Sequence, residues 1–262
     1  MSEYYLINAF TKEAFKGNPA AIVLLKEKKT NKWLELLAKE LNQPITTFVS
    51  KQMENEYELR WFTPTKEIDL CGHGTLGAAH IIWSQGLSST STITFQTKSG
   101  NLDAKQSNQL ITLTFNVKQS NQSVVTENIK RVIDFPIKNV AWAEDRYIIE
   151  LENEKMVRGY IPNLDAISKL EGPGVILTSR GLEKYDFVSR YFAPKIGINE
   201  DYVTGSAHCA LASYWSKILN KSEFTAYQAS ERGGEIRLKL KGEKVELIGS
   251  CVTLLHGQLV DL

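Results

Sequence analysis

The chain has 262 residues, 42% of them hydrophobic and 23% charged, enough for a substantial core and near the length at which one core divides into two. Thirty-one Lys and Arg stand against 30 Asp and Glu, a net charge of +1, so no global field draws the protein to nucleic acid or to an acidic membrane. The opening MSEYYLINAF lacks a basic segment followed by a long apolar run, and no stretch approaches ~18 uninterrupted apolar residues; the expectation is a soluble, unexported, cytoplasmic protein acting on a small molecule.

Strand-like stretches rich in β-branched and aromatic residues come first, at Tyr4–Phe10, Ala20–Leu25, Thr46–Ser50, Tyr57–Phe62, Thr92–Thr97 and Leu110–Val117. One amphipathic helix is predicted over Lys32–Leu41, where Trp33, Leu36, Leu37 and Leu41 share a helical spacing. A second, His73 to about Gln85, is apolar nearly all round and so is expected to be surrounded by other structure. Further strands follow near Lys138–Ala143, Tyr147–Leu151, Gly174–Thr178, Asp186–Phe192, Phe224–Ala229, Glu235–Leu240, Lys244–Ile248 and Leu254–Leu259, with one more apolar helix from Ser206 to Ile218. The polar stretch Lys118–Ser123 is the best boundary by composition, which divides the chain into lobes 1–117 and 118–262.

Self-similarity connects those halves. Arg60-Trp61-Phe62-Thr63-Pro64 matches Arg190-Tyr191-Phe192-Ala193-Pro194, an offset of 190 − 60 = 130 residues. Each is followed by a loop holding an acid, a glycine and an apolar helix with a Trp in its third turn, so that EIDLCGHGTLGAAHIIW pairs with NEDYVTGSAHCALASYW. Each loop delivers backbone N–H groups to a helix N-terminus, where the macrodipole favours an anion. If the lobes face each other through a pseudo-twofold axis, both helix ends point into one cleft suited to a carboxylate and to an enolate-like anion. For a single loop, glycines that merely permit a tight turn before a core helix explain as much; two matched loops with polar residues at equivalent places favour a site.

Cysteines at 71, 209 and 251 are odd in number and widely spaced, which argues against a disulfide framework. His73, His80, His208 and His256 are scattered and complete no metal spacing, so no metal is expected. His73 is the side chain of the first loop whose unperturbed pKa lies near neutrality, which suits a proton shuttle, although a hydrogen-bonded loop residue is the alternative. Asp201 is either a base raised by apolar neighbours or a turn residue that caps the helix. Arg232-Gly233-Gly234-Glu235 is either a carboxylate-binding turn or a plain hairpin turn.

Several segments together resemble the PhzF-like family of phenazine-biosynthesis-type isomerases, which share the fold of diaminopimelate epimerase. They are Asn8-Ala9-Phe10 with Gly17-Asn18-Pro19-Ala20-Ala21, Asp69-Leu70-Cys71-Gly72-His73-Gly74-Thr75, and Glu200-Asp201-Tyr202-Val203-Thr204-Gly205-Ser206-Ala207, with Gln228 and Arg232-Gly233-Gly234 a weaker match. The resemblance implies an α+β fold of two similar lobes, each a β-barrel-like sheet around a central helix. It also implies proton transfer on a small carboxylate with no cofactor, a site between the lobes, and a homodimer. On this resemblance His73, Asp201 and Ser206 take the positions for proton relay and substrate binding, while Gly72, Gly74, Thr75, Thr204, Gly205 and Ala207 form the anion-binding loops. The chain departs from the family at Ile45: the usual Ser-Glu-Thr run, whose Glu is the acid/base, here reads Pro44-Ile45-Thr46. An isoleucine carries no proton, so the resemblance leaves two functions open, an isomerase or an anion-binding protein that has lost its chemistry. Epimerases of this fold use paired thiols; Cys71 could be one, but Thr204 stands at the other position, which favours Cys71 as a packed residue.

Overall fold

The alternating apolar segments become strands of a mixed α+β structure, a computed structural model that describes residues 2–260. The chain divides into two compact units, one formed by the chain up to Thr114 together with the stretch from Ile248 onward, the other by Phe115–Leu247. The first crossing falls close to the boundary expected from composition. The second differs from it: the final strand Cys251–Gln258 returns to the first unit, where it pairs antiparallel with Glu3–Ala9. The polar stretch at 118–123 is no linker either. Asn121–Gln122 pairs with Ala141 and Trp142, the Ser120 amide donates to Ser213 Oγ at 3.2 Å, and Ser213 Oγ donates to Gln119 Oε1 at 3.3 Å, so the stretch is bonded into the second unit.

In the first unit Glu3–Ala9 lies antiparallel to Asn18–Leu25, which runs parallel to Thr46–Met53 after a crossover through helix α1, Asn31–Leu41. Thr46–Met53 pairs antiparallel with Glu56–Phe62. That strand takes the short Glu67–Ile68 antiparallel and, after helix α2 at Gly72–Ser84, Thr92–Thr97 parallel. The second unit repeats the order. Ile137–Ala143 and Arg146–Leu151 form a hairpin, and Val175–Arg180 joins parallel after the short helices α4, Glu154–Gly159, and α5, Leu164–Ser168. Phe187–Ala193 then pairs antiparallel with Val175–Arg180, takes Ile198–Asp201 antiparallel and, after helix α6 at Gly205–Leu219, Glu223–Gln228 parallel. A further short helix, α3 at Glu127–Val132, precedes this hairpin. Helices α3, α4 and α5 were not anticipated, because five or six residues are too few to establish a 3.6-residue period.

Each sheet is covered on both faces, which strand alternation permits. In the first unit Val23, Phe48 and Phe62 pack with Leu34 and Ala38 of α1, while α2 takes the other face. Its approach is close: a Cβ on Gly77 would lie 2.8 Å from Ile7 Cδ1. In the second unit Val175, Leu177, Val188 and Phe192 pack with the small helices, and Phe187 on the opposite face stacks on Trp215 of α6 at 5.6 Å. Every residue of α6 from Ala207 to Trp215 is buried, as the absence of a polar face predicts.

The repeat extends to an ion pair. Arg60 donates to both oxygens of Glu67 at 2.8 and 2.9 Å, and Arg190 to both oxygens of Glu200 at 2.7 and 2.8 Å. Each guanidinium also lies over the Phe two residues on, at 5.2 and 4.8 Å. The offset grows from 130 at the arginines to 133 at the glutamates (200 − 67), because the second unit inserts a 3-10 turn, Pro194–Ile196. The helix N-caps keep that 133 (204 − 71). The tryptophans, at 132 (215 − 83), are therefore one position out of register: Trp215 is fully buried, while Trp83 is half-exposed and its Nε1 donates to the Thr90 carbonyl. Among the described residues no helix is long and apolar enough to cross a membrane.

Candidate active-site turns at the two buried helices

The six α-helices among the described residues fall into two groups at their N-termini. Helices α1, α3, α4 and α5 are closed by Thr30, Thr126, Asn153 and Asn163, whose side chains accept from the N–H three residues on, the ordinary way to satisfy a first-turn donor. Helices α2 and α6 are not closed this way: neither Cys71 nor Thr204 makes a side-chain cap bond. Cysteine is a poor acceptor. Thr204 is a good capping residue, but its hydroxyl donates instead to Asp201 Oδ2 at 2.7 Å. Neither helix has an acidic residue in its first turn. The two helices matched by the repeat are thus the two that keep first-turn N–H groups clear of their own N-cap side chains.

In the first unit, Gly72, His73 and Gly74 form the first turn of α2. His73 Nδ1 lies 3.4 Å from Asn18 Nδ2 and 3.4 Å from Cys71 Sγ. The Asn18 amide and the Cys71 thiol both reach that nitrogen, and Cys71 Sγ also lies 3.9 Å from Nε2, so the donor and acceptor roles of the two ring nitrogens follow the tautomer. Thr75 is fully buried, and its hydroxyl donates to the Cys71 carbonyl at 2.6 Å. Its side chain therefore shapes the turn. Gly74 is required by packing, since a Cβ there would stand 2.5 Å from Thr47 Oγ1 and 3.0 Å from Trp61 Cδ1. Ile45 is 1% exposed, and its carbonyl accepts from the Ala21 amide at 2.9 Å, extending the parallel pairing just ahead of Thr46. By strand alternation it shares a face with Thr47, whose hydroxyl lies against the first turn of α2.

In the second unit, Gly205, Ser206 and Ala207 form the first turn of α6. The loop ahead of it is gathered by Gln228, which is fully buried. Gln228 Oε1 accepts from the Thr204 amide at 2.7 Å, and Nε2 donates to the Asp201 carbonyl at 2.6 Å. Asp201 is only half-buried. Ser206 is exposed, and its Oγ accepts from Arg146 Nη1 at 3.1 Å. His208, three residues after Gly205, stands where Thr75 stands in the first unit, and does the same work: Nδ1–H donates to the Thr204 carbonyl at 2.8 Å. Complete burial lowers its pKa to about 4 against the opposing pull of that carbonyl, so the ring is neutral. Burial likewise pushes the Cys209 thiol up to about 12, which removes it as a nucleophile. The turn at Arg232-Gly233 is made by Gly233 at φ +66, with its amide donating to Ser230 Oγ; a Cβ there would overlap Tyr227. The Arg232 guanidinium lies 5.4 Å over the Tyr202 ring.

Arg146 carried too little pattern to single out, since it works through a partner 60 residues away. Gln228, part of the resemblance, has its structural role revealed only by a partner 24 residues away.

A model of the phenazine biosynthesis-like protein family (PhzC-PhzF) matches residues 7–257. The chain belongs to that family. It is 43% identical to an uncharacterized isomerase of Halalkalibacterium halodurans over 98% of this chain and 97% of the relative. A crystal structure of a PhzF-family phenazine biosynthesis protein from Enterococcus faecalis superposes with a TM-score of 0.95 at 35% identity, covering 99% of this chain and 100% of the other. The fold alone extends to a predicted epimerase of Pseudomonas aeruginosa, at TM-score 0.74 and 17% identity over 100% of both chains. Membership thus rests on the family match and on close similarity across nearly the whole chain. It also bears out the α+β class. Among the described residues no group of three or more His, Cys, Asp or Glu could hold a metal ion.

Proposed function

We propose that this protein is an isomerase or epimerase that moves a proton on a small carboxylate-bearing substrate without a metal or organic cofactor. The observation that carries the reading is the capping contrast: of the six α-helix N-termini among the described residues, only the two matched buried ones leave their first turn uncapped by the N-cap side chain. Backbone N–H groups of Gly72, His73 and Gly74, and of Gly205, Ser206 and Ala207, would then hold the substrate carboxylate and the oxyanion that develops when its α-proton leaves. In this reading Asp201, oriented by the Thr204 hydroxyl, takes the proton, and His73 returns one. A cytoplasmic homodimer belongs to the same reading, and light scattering tests the assembly.

Incubation of amino and hydroxy acids with the protein in heavy water tests the chemistry. Deuterium is expected at carbon on at least one of them, and His73→Gln or Asp201→Asn should slow incorporation by about 100-fold or more. Absence of exchange on every candidate, or variants that exchange as fast as wild type, refutes the reading.

The buried isoleucine at 45 favours a second reading, an anion-binding protein whose chemistry has been lost. It predicts carboxylate binding without exchange, and exchange that appears only in Ile45→Glu. Robust turnover by the wild type eliminates it.

A further inference from the structure

Arg146 opens the strand Arg146–Leu151 and is 6% exposed. Its guanidinium is held on every side. Nε and Nη2 donate to the two oxygens of Asp145 at 2.8 Å each, the plane lies 5.0 Å from the centre of the Tyr191 ring, and Nη1 donates to Ser206 Oγ. Burial works against the Asp145 carboxylate, yet Arg146 and Lys118, the latter 3.4 Å away, prevail and hold its pKa below the usual range. The clamp that fixes Arg146 is therefore ionised at neutral pH.

A guanidinium has five donors and no acceptor. The bond to Ser206 can run in one direction only, so the hydroxyl proton of Ser206 must point to some other acceptor. Ser206 is the second residue of α6 and is exposed; its own proton and the first-turn N–H groups are all donors. We infer that Arg146 is a positioning residue that occupies one lone pair of the Ser206 oxygen and turns the hydroxyl proton outward, so that the substrate group received at the α6 N-terminus is a carboxylate in preference to a carboxamide. The carboxamide brings an NH2 that would face these donors and find at most the one lone pair left on Ser206 Oγ, whereas every carboxylate lone pair accepts. This inference rests on the proposed carboxylate chemistry of that turn.

The test follows backbone amide signals of Gly205, Ser206 and Ala207 by NMR during titration with acetate and, separately, acetamide. Wild type should shift these signals with acetate, and bind acetamide about tenfold more weakly or not at all. Arg146→Met and Ser206→Ala should each weaken acetate about tenfold, and the double variant should be no weaker than either, because both remove the same oriented donor. Arg146→Lys, still a donor-only cation, should recover most of the loss. Should Arg146→Met fail to fold, Arg146→Gln takes its place, since its amide oxygen lets the hydroxyl turn inward. Acetate binding at wild-type strength in a folded Arg146 variant, or multiplying losses in the double variant, overturns the positioning role alone. Acetate that shifts none of these signals in wild type overturns it together with the carboxylate reading.

Discussion

The first turn of α2 and the first turn of α6 are built on one plan and fitted with different chemistry. Both follow an Arg-aromatic-Phe strand whose Arg grips a Glu on the returning strand, and both are tightened by a side chain bonded to the N-cap carbonyl, Thr75 in one and His208 in the other. At the second helical position they part: α2 offers His73 beside a thiol and an amide, and α6 offers Ser206 held by a buried guanidinium. A duplicated scaffold keeps the groups that hold the turn and lets those that face outward diverge. An imidazole can take up and release a proton, while a hydroxyl held by a cation turns its own proton outward.

The largest expected break in the comparison lies on the helices. Trp215→Ala should cost about 3–5 kcal/mol, because a fully buried indole stacked on Phe187 leaves a cavity. Trp83→Ala, half-exposed, should cost less than about 2 kcal/mol. Urea unfolding of both variants measures the difference, and equal costs would restore the two tryptophans to equivalent places.

Acid should separate the two tightening residues. The folded pKa of His208, about 4, lies below its ordinary 6.5 because burial disfavours the cation. The unfolded chain therefore binds the extra proton first, and stability present above pH 6.5 is lost as the pH falls toward 4, by about 3 kcal/mol in all. Comparing unfolding midpoints at pH 7.5 and 4.5 for wild type and His208→Thr, which installs the first unit's residue, reads this out. The variant should start lower, for the smaller side chain, but decline less. Parallel declines would assign the acid sensitivity elsewhere.

The ion pairs should show the smallest effects and nearly equal ones. Arg60→Met and Arg190→Met each leave a mostly buried carboxylate without its bidentate partner, at a cost of about 1–3 kcal/mol. Arg60 also donates to Asn31 Oδ1 and Arg190 to the Tyr160 carbonyl, but Glu67 keeps Lys98 as a second cation, so the Arg190 variant should be the worse of the two. A larger loss at Arg60, measured by thermal melting, would contradict that order.

Much of the fold was legible because its signals are local. The apolar α2 and α6 announced their burial through the lack of a charged face, and Arg60-Trp61-Phe62 against Arg190-Tyr191-Phe192 disclosed the duplication. Candidate site positions were legible as short motifs at the helix starts, His73 and Ser206 among them. What escaped were Arg146, brought in from a distance, the bonds through which Gln228 gathers its loop, and the true register of the helices, hidden by the inserted turn at Pro194–Ile196.

The sequence by itself determined most of the strands, though not Gly100–Ser107, which helices are enclosed, and that two halves share a plan, because periodicity and composition act over a few residues. Only tertiary structure decided that the last strand joins the first unit, that Thr204 serves Asp201 instead of capping its helix, and that a buried cation directs Ser206. Those outcomes depend on which donor and acceptor meet across the fold. A hydroxyl able to bond in several directions takes the one its neighbours leave it.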